Sequence, residues 1–176
     1  MLPRVIRTPR LVLRPPVPGD APHVYERWTQ DPDVTRYLRW RPHESINRAH
    51  TFIGTCVESW AVKGRGPWVL TRTGDDTPIG MIDARYGDMG VELGYVLGRA
   101  DWGQGLMPEA ATAVVDAALG EPDIYRVWAV CDVDNRASAR VLEKVGMTFE
   151  GRLARASFHP NLGLEPRDVL LYARTR

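Results

Sequence analysis

Residues 92–110 read ELGYVLGRADWGQGLMPEA, a pattern typical of a strand, a glycine turn and the start of a helix. Gly103 and Gly105 have no Cβ, so the backbone of the turn can approach a ligand closely. Pro108 suits the first turn of the helix, where free N–H groups create a partial positive charge that attracts phosphate. The stretch therefore predicts an anion-binding strand-turn-helix unit, and an ordinary tight turn is the alternative.

Two common phosphate-binding motifs do not fit this turn. A Walker loop needs Lys-Ser or Lys-Thr after its last glycine, but Leu106 and Met107 follow Gly105. A Rossmann fingerprint needs a third glycine, and Pro108 occupies that position. The turn therefore belongs to neither of these nucleotide-binding classes.

Beyond this unit, the hydrophobic pattern predicts an α+β fold. Strands are predicted over residues 11–14, 68–73, 79–86, 91–97, 125–131, 147–158 and 169–173, and helices over 45–62, 108–119 and 135–145, with a short helix between Asp20 and Asp31. We expect a single domain over residues 1–176 with one mixed, mostly antiparallel sheet and helices on both faces. A parallel pair is expected where helix 108–119 crosses over.

Composition restricts the classes of protein and partner. Of 176 residues, 44% are hydrophobic and 26% are charged, which is ordinary globular usage and excludes a disordered or collagen-like chain. A net charge of +1 lacks the broad basic field that binds nucleic acid, so no nucleic-acid partner is expected. The sequence has neither an apolar N-terminal stretch nor a run of about 18 apolar residues, which predicts a cytoplasmic protein without a membrane partner.

The cysteines and histidines give no sign of a disulfide or a metal site. Cys56 and Cys131 lie in apolar stretches without a CxxC pair, so we expect buried, unreactive free thiols in a reducing compartment. The four histidines lack metal-ligand spacing, and no Gly-x-Ser-x-Gly elbow supports a serine triad. No metal is therefore predicted.

A second stretch, residues 127–149, reads VWAVCDVDNRASARVLEKVGMTF. Together with residues 102–110 it resembles the GNAT superfamily of acyl-CoA-dependent N-acetyltransferases, in particular the RimJ/RimL-like branch of ribosomal-protein N-terminal acetylases. The resemblance extends from TPRLVLR at residues 8–14 to RDVLLY at residues 167–172. The glycine turn and the segment around Asn135 are specific only as a pair.

The resemblance implies a binding site for acetyl-CoA as co-substrate. The pyrophosphate would lie on backbone amides of the turn, formed here by Trp102, Gly103, Gln104, Gly105, Leu106 and Met107. Trp102 and Met107 depart from the superfamily pattern, which has Gln or Arg at the first position and a small residue at the last. The pantetheine arm would pair like a strand between two splayed parallel strands, near the amides of Val96 and Leu97 and close to Asn135.

Acetyl transfer to an amine needs a proton acceptor, an oxyanion donor and a proton for the leaving thiolate. Glu92 is our candidate base, with a solvated strand residue as the alternative for it and Asp83 as the next candidate base. By resemblance, Ser138 donates to the CoA thiolate, whereas a helix-capping bond is its alternative role. Asn135 caps the same helix. An amide near Val96 would hold the oxyanion.

The acceptor side of the cleft is predicted from a basic, aromatic cluster just before the predicted helix 45–62. This cluster consists of Arg36, Arg39, Trp40, Arg41 and His43, and a solvated face is the alternative. We assign Arg36, Trp40 and Trp68 to acceptor binding, although a core position also suits Trp68. Arg136 and Arg140 could bind the 3′-phosphate of the cofactor or form a plain helix surface.

These inferences predict an N-acetyltransferase that acts directly in a ternary complex without an acyl-enzyme. The acceptor is a protein N-terminus or a small-molecule amine, and residue patterns do not choose between them. The alternative from another class is a catalytically silent CoA-binding module for regulation or interaction. The branch also admits a homodimer.

Overall fold

One mixed sheet of eight strands forms the centre of the protein, and the structure, a computed structural model, describes residues 1–176. The spatial order is β1-β2-β3-β4-β5-β6-β8-β7, and every neighbouring pair is antiparallel except β5 and β6. The strands are β1 (Ile6–Arg7), β2 (Leu11–Arg14), β3 (Trp68–Arg72), β4 (Asp75–Gly87), β5 (Gly90–Leu97), β6 (Arg126–Asp132), β7 (Thr148–Ser157) and β8 (Arg167–Thr175). The predicted α+β class and mostly antiparallel sheet are confirmed.

Five α-helices connect these strands: α1 (Ala21–Val24), α2 (Pro32–Thr35), α3 (Ile46–Lys63), α4 (Leu106–Leu119) and α5 (Arg136–Lys144). A π-turn, Tyr25–Thr29, extends α1. The sequence analysis did not predict α2, because it took Asp31-Pro32 only as the end of a helix. Asp31 instead caps a new helix by accepting a bond from the Asp33 N–H at 2.9 Å, and proline is compatible with the first helical position.

Helices cover both faces of the sheet, as predicted. On one face, α4 and α5 pack over the larger core with residues such as Val114 and Leu142, and we call this the α4/α5 face. On the other, α1 and α3 pack over a smaller core with residues such as Val24 and Ile53, and we call this the α1/α3 face. Successive residues of a strand point to opposite faces, so β3, for example, contributes Val69 to the smaller core and Leu70 to the larger one. No helix has the length and apolar character needed to cross a membrane.

The only parallel pair of the sheet is short. β5 and β6 are in register only at Val91 with Val127 and at Glu92 with Trp128. Beyond these two pairs the strands no longer hydrogen-bond to each other, although both continue for several residues. The predicted parallel crossover through α4 is therefore confirmed, and a gap opens between the carboxyl ends of its two strands.

Candidate active site

A cleft of about 940 Å³ begins in the gap between β5 and β6. The last five residues of β5, from Leu93 to Leu97, and the end of β6, from Ala129 to Asp132, line it. The turn before α4 and one side of α5 line the same cleft from the α4/α5 face. The segment around α2 lines it from the α1/α3 face. Two groups of residues on opposite faces of the sheet can therefore approach one ligand site.

The glycine turn presents unpaired backbone donors. Gly103 and Gly105 have φ of +75° and +72°, a left-handed conformation that favours glycine. The helix begins at Leu106, two residues before the predicted Pro108, with Gly105 as N-cap and no side chain capping it. The N–H groups of residues 103–107 donate to no other group of the chain. Five successive free donors at a helix N-terminus form a suitable cradle for a phosphate group.

Side chains behind the turn hold its backbone. The Gln104 side chain points away from the cleft. Its Oε1 accepts from Arg72 at 2.7 Å, and its Nε2 donates to the Ala100 carbonyl at 3.1 Å. Arg72 also pairs with the buried Asp101 at 2.9 Å. Trp102 is partly exposed, and its indole N–H donates to the Leu97 carbonyl at 2.8 Å. Gln104 can therefore serve a ligand only through its backbone.

Hydrogen bonding along β5 determines which of its amides face the gap. Gly87 and Gly90 pair across a two-residue turn, and the Gly98 N–H donates to the Ile79 carbonyl, so alternate residues point their N–H groups toward β4. Val96 belongs to this series and is used within the sheet. Leu97, one residue later, points its N–H into the gap. The assignment of a free amide to Val96 is therefore corrected to its neighbour, and Leu97 keeps the predicted position.

Ser138 and Tyr95 form a hydroxyl pair on the α4/α5 face of the cleft. Asn135 caps α5, because its side-chain oxygen accepts from the Ser138 N–H at 3.1 Å. The Ser138 Oγ is thereby free of the capping bond, and it lies 2.8 Å from the Tyr95 hydroxyl. Burial raises the pKa of Tyr95, so its hydroxyl stays protonated and able to donate. Sequence analysis had given Tyr95 no role, although strand alternation places it on the same face as Leu93.

A cluster of charged residues lies on the α1/α3 face of the same strands. Arg85 donates to Glu92 at 3.2 Å and to Asp83 at 3.4 Å, and its guanidinium occupies the space beside Gly94, where a Cβ would come within 2.9 Å of it. Arg39 donates to the Glu92 carboxylate at 3.3 Å. Burial raises the pKa of Asp83 despite the nearby Arg85. Glu92 is thus held by two guanidinium groups, whereas Asp83 has one long contact.

The predicted acceptor residues fall into two places. Arg36 and Trp40 line the cleft, and the Arg36 guanidinium lies over the Tyr37 ring at 5.5 Å from its centroid. Trp68 is 2% exposed, packs edge-on against Trp60 and does not line the cleft. Its indole N–H donates to the Arg4 carbonyl at 3.1 Å. The assignment of Trp68 to the acceptor site is therefore wrong, because its side chain points into the larger core.

Two residues from the loop between β7 and β8 hold the acceptor segment. The Asn161 side-chain amide donates to the carbonyls of Thr35 and Trp40 at 2.7 and 2.8 Å. His159 is buried, and its Nδ1 lies 2.8 Å from the Tyr37 carbonyl. These contacts join segments more than 120 residues apart, so no local sequence pattern indicates them.

The sequence matches the family described as "Acetyltransferase (GNAT) domain" over residues 10–148. The chain belongs to the GNAT family of acetyltransferases. YoaA of Bacillus subtilis, an uncharacterized N-acetyltransferase, is 30% identical to this chain over 172 residues, which cover 96% of this chain and 95% of YoaA. This match extends over nearly the full length of both chains.

Two further comparisons concern the branch of the GNAT family. A ribosomal-protein-serine acetyltransferase of Escherichia coli is 35% identical over 83 residues, which cover 47% of this chain and 45% of the relative. The structure of RimL, a ribosomal alpha-N-protein acetyltransferase in complex with coenzyme A, superposes with a TM-score of 0.82 at 21% identity and covers 97% of both chains. The first match confirms the predicted resemblance to the RimJ/RimL-like branch of the GNAT family, and the second shows that the fold is shared.

The two thiols of this GNAT domain are poorly suited to nucleophilic catalysis. Cys131 lines the cleft beside Ser138, and burial raises its pKa to about 11. Cys56 is buried in α3, and burial raises its pKa to about 12. Both thiols are therefore protonated at neutral pH, and the thiolate is the nucleophilic form.

Proposed function

We propose that this GNAT protein transfers an acetyl group from acetyl-CoA directly to a primary amine in a ternary complex. The observation that carries the proposal is the placement of five free N–H groups at one side of a cleft whose other side holds two carboxylates. The first feature suits a pyrophosphate, and the second suits a protonated amine. A single cleft that joins them lets both substrates bind together.

Acetyl-CoA fits the α4/α5 side of the cleft. Its pyrophosphate would take the N–H groups of residues 103–107, and its pantetheine arm would extend between the separated strands so that the thioester reaches the Leu97 amide. Arg140 and Lys144 on α5 line this side without an ion-pair partner in the chain, so they are available to other phosphate oxygens. The coenzyme A complex of RimL, whose fold this chain shares, supports the assignment.

The amine must lose a proton before it can attack the thioester carbonyl. Glu92 is our proposed acceptor of this proton, and Arg39 would give way to the incoming ammonium group. Asp83 is the alternative, because its burial raises its pKa toward the range that suits a general base. The Leu97 N–H is the proposed donor to the oxyanion, since it faces the gap and not β4.

The carbon–sulfur bond of the thioester breaks as the tetrahedral intermediate collapses. Ser138 is proposed to donate a hydrogen bond from its hydroxyl to the departing sulfur, and the Tyr95 hydroxyl, 2.8 Å away, can donate to the Ser138 Oγ and strengthen that bond. The sulfur leaves as a thiolate and takes its proton from solvent. The products are an N-acetylated amine and free coenzyme A. Asn135 serves this step indirectly, because its cap fixes the first turn of α5.

The acceptor is a protein N-terminus or a small-molecule amine that reaches the cleft past Arg36 and Trp40. The ribosomal-protein-serine acetyltransferase relative favours an N-terminal amine, and acceptor segments vary more readily than the fold. We further propose a cytoplasmic location, in keeping with two buried free thiols, and a homodimer.

An amine-library screen tests the proposal. The protein is incubated with acetyl-CoA and single amines or N-terminal peptides, and released thiol is measured against a control without protein. We expect turnover on at least one amine class and thermal stabilisation by acetyl-CoA. Stabilisation without turnover on any amine would support the silent CoA-binding module. The absence of both stabilisation and turnover would refute both functions.

A further inference from the structure

Arg10 makes an unusual set of contacts behind the glycine turn. It lies just before β2 and is half exposed, and its guanidinium donates to the carbonyls of Gln104 at 2.9 Å and Gly105 at 3.3 Å. Its Nε donates to the Glu109 carboxylate at 2.6 Å. One side chain therefore contacts the turn and the first turn of α4 at three acceptors.

Glu109 completes this connection. Its second carboxylate oxygen accepts from the Thr8 hydroxyl at 2.6 Å and from the Arg10 N–H at 2.9 Å. The N-terminal segment before β2 is thus bonded to α4 through both backbone and side chain. These bonds fix the position of the guanidinium relative to the turn, since Arg10 is anchored at both ends.

The geometry of the peptide group gives these contacts a consequence. In a trans peptide the C=O of one residue and the N–H of the next point in opposite directions. The carbonyl of Gln104 therefore sets the direction of the Gly105 N–H, and the carbonyl of Gly105 sets that of the Leu106 N–H. Arg10 holds the Gln104 carbonyl at 2.9 Å and so fixes the direction of the Gly105 N–H. The Gly105 carbonyl also accepts from the Glu109 N–H at 3.3 Å, so Arg10 and the first turn of α4 together fix the direction of the Leu106 N–H.

We propose that Arg10 is a positioning residue that orients the Gly105 and Leu106 amides for the pyrophosphate of CoA. The inference rests on the proposed function. Arginine is required because only its planar fork offers several donors in fixed directions, whereas a lysine ammonium is a point donor. Arg10 also balances the negative charge of Glu109, which would otherwise lie unpaired close to the bound phosphates.

The test compares two acetyl donors that differ in the pyrophosphate. Acetyl-CoA carries it, and S-acetylpantetheine lacks it but presents the same thioester. For Arg10→Met we expect the Kd of coenzyme A to rise about tenfold, the equivalent of one or two lost hydrogen bonds. The kcat/KM for S-acetylpantetheine should stay within about twofold of the parent value, because that donor does not use the two amides.

Two further variants complete the design. Arg7→Met removes an exposed arginine of β1 that makes no ion pair, and its coenzyme A affinity should equal that of the parent. Arg10→Lys keeps the charge without the fork, and it should recover little of the lost affinity. It also provides the comparison if Arg10→Met does not fold, which circular dichroism and the Tm would reveal.

The measured affinities distinguish a positioning role of Arg10 from a direct charge contact and from general destabilisation. Unchanged coenzyme A affinity in Arg10→Met, or full recovery in Arg10→Lys, would overturn the positioning role, and full recovery would indicate a direct charge contact with phosphate. An equal loss with both donors would also overturn it, because general destabilisation does not depend on pyrophosphate. If the parent binds no coenzyme A, the proposed function itself fails, whatever the variants do.

Discussion

The two halves of the cleft recognise their ligands with different parts of the chain. On the cofactor side the groups presented are backbone N–H groups of residues 103–107, and side chains such as Arg10 lie behind them. On the acceptor side the groups presented are side chains such as Arg36 and Trp40, and Asn161 holds their backbone from behind. The first half depends on backbone conformation, whereas the second can change its specificity by substitution. A common donor and variable acceptors would follow from this division.

We expect Glu92→Gln to reduce activity most, and this variant tests whether the acceptor half removes the proton from the amine. A glutamine cannot accept the proton of the amine, so kcat/KM should fall by about 10²- to 10⁴-fold. The Kd of coenzyme A should not change, because Glu92 lies on the other face of the sheet. Steady-state release of thiol over a pH series, with coenzyme A titrations beside it, measures both quantities.

An unchanged kcat/KM with an unchanged acidic limb in Glu92→Gln would transfer the role to Asp83 or to water. Burial raises the pKa of Asp83 above its usual range. Since a base acts only when ionised, an Asp83-dependent rate would rise with pH through that raised pKa. Asp83→Asn would then remove the limb. The effect on stability has the opposite sign, because a folded-state pKa above the unfolded value makes the free energy of unfolding fall as the pH rises through that range. Asp83→Asn should therefore not lower the Tm through loss of this charge.

Gly105→Asp tests the backbone conformation on which the cofactor half depends. A side chain at φ +72° is strained, and a carboxylate there repels the pyrophosphate, so coenzyme A affinity should fall about 100-fold. Gly74→Asp is the matched control, since Gly74 has φ +86° in the turn between β3 and β4. A folded Gly105→Asp protein with the parent's affinity would refute the assignment of the turn.

Ser138→Ala tests the one chemical step assigned to the cofactor half. The CoA thiol leaves fairly well unaided, so the loss in kcat should be about tenfold or less. Tyr95→Phe should lower kcat less than Ser138→Ala, because Tyr95 acts on the sulfur only through the serine. Single-turnover rates and the Kd of acetyl-CoA separate the roles. Full activity would leave Ser138 with a structural role, and a matched loss of affinity would make it a ground-state contact.

We expect the weakest effect from Asn161→Ala, which removes support from the acceptor segment without changing a side chain that lines the cleft. Two lost hydrogen bonds to the backbone of the acceptor segment should raise the KM of the amine by about threefold and leave coenzyme A binding unchanged. Asn47→Ala on the exposed side of α3 is the control. A rise in the Kd of coenzyme A would show that the halves are coupled and not independent.

Sequence reasoning succeeded where one short stretch contains the physical signal. The glycine turn, the crossover through α4 and the Asn135 cap depend on residues within a few positions of one another. The start of α4 was placed two residues late, at Pro108, because proline is the stronger local signal, whereas Gly105 begins the helix through its left-handed backbone. The roles of Glu92 and Ser138 remain predictions.

The errors and omissions concern facts that a single segment does not contain. The free amide at Leu97 in place of Val96 depends on the pairing of β5 with β4, and register is a property of two strands. The sequence left both cleft and core open for Trp68, and its position in the core depends on packing against Trp60 of α3. Asn161 was overlooked because its partners lie more than 120 residues away.

The absence of a side chain at position 94 links two positions on neighbouring strands. The Arg85 guanidinium fills the space that a Cβ of residue 94 would need, and from there it reaches both Asp83 and Glu92. Replacing Gly94 would push the arginine aside, which would leave Asp83 without an ion-pair partner and Glu92 with Arg39 alone. The two positions should therefore covary across homologous sequences, with arginine at 85 accompanied by glycine at 94. Where the pair has been lost in evolution, the substitution of Arg85 should have preceded that of Gly94.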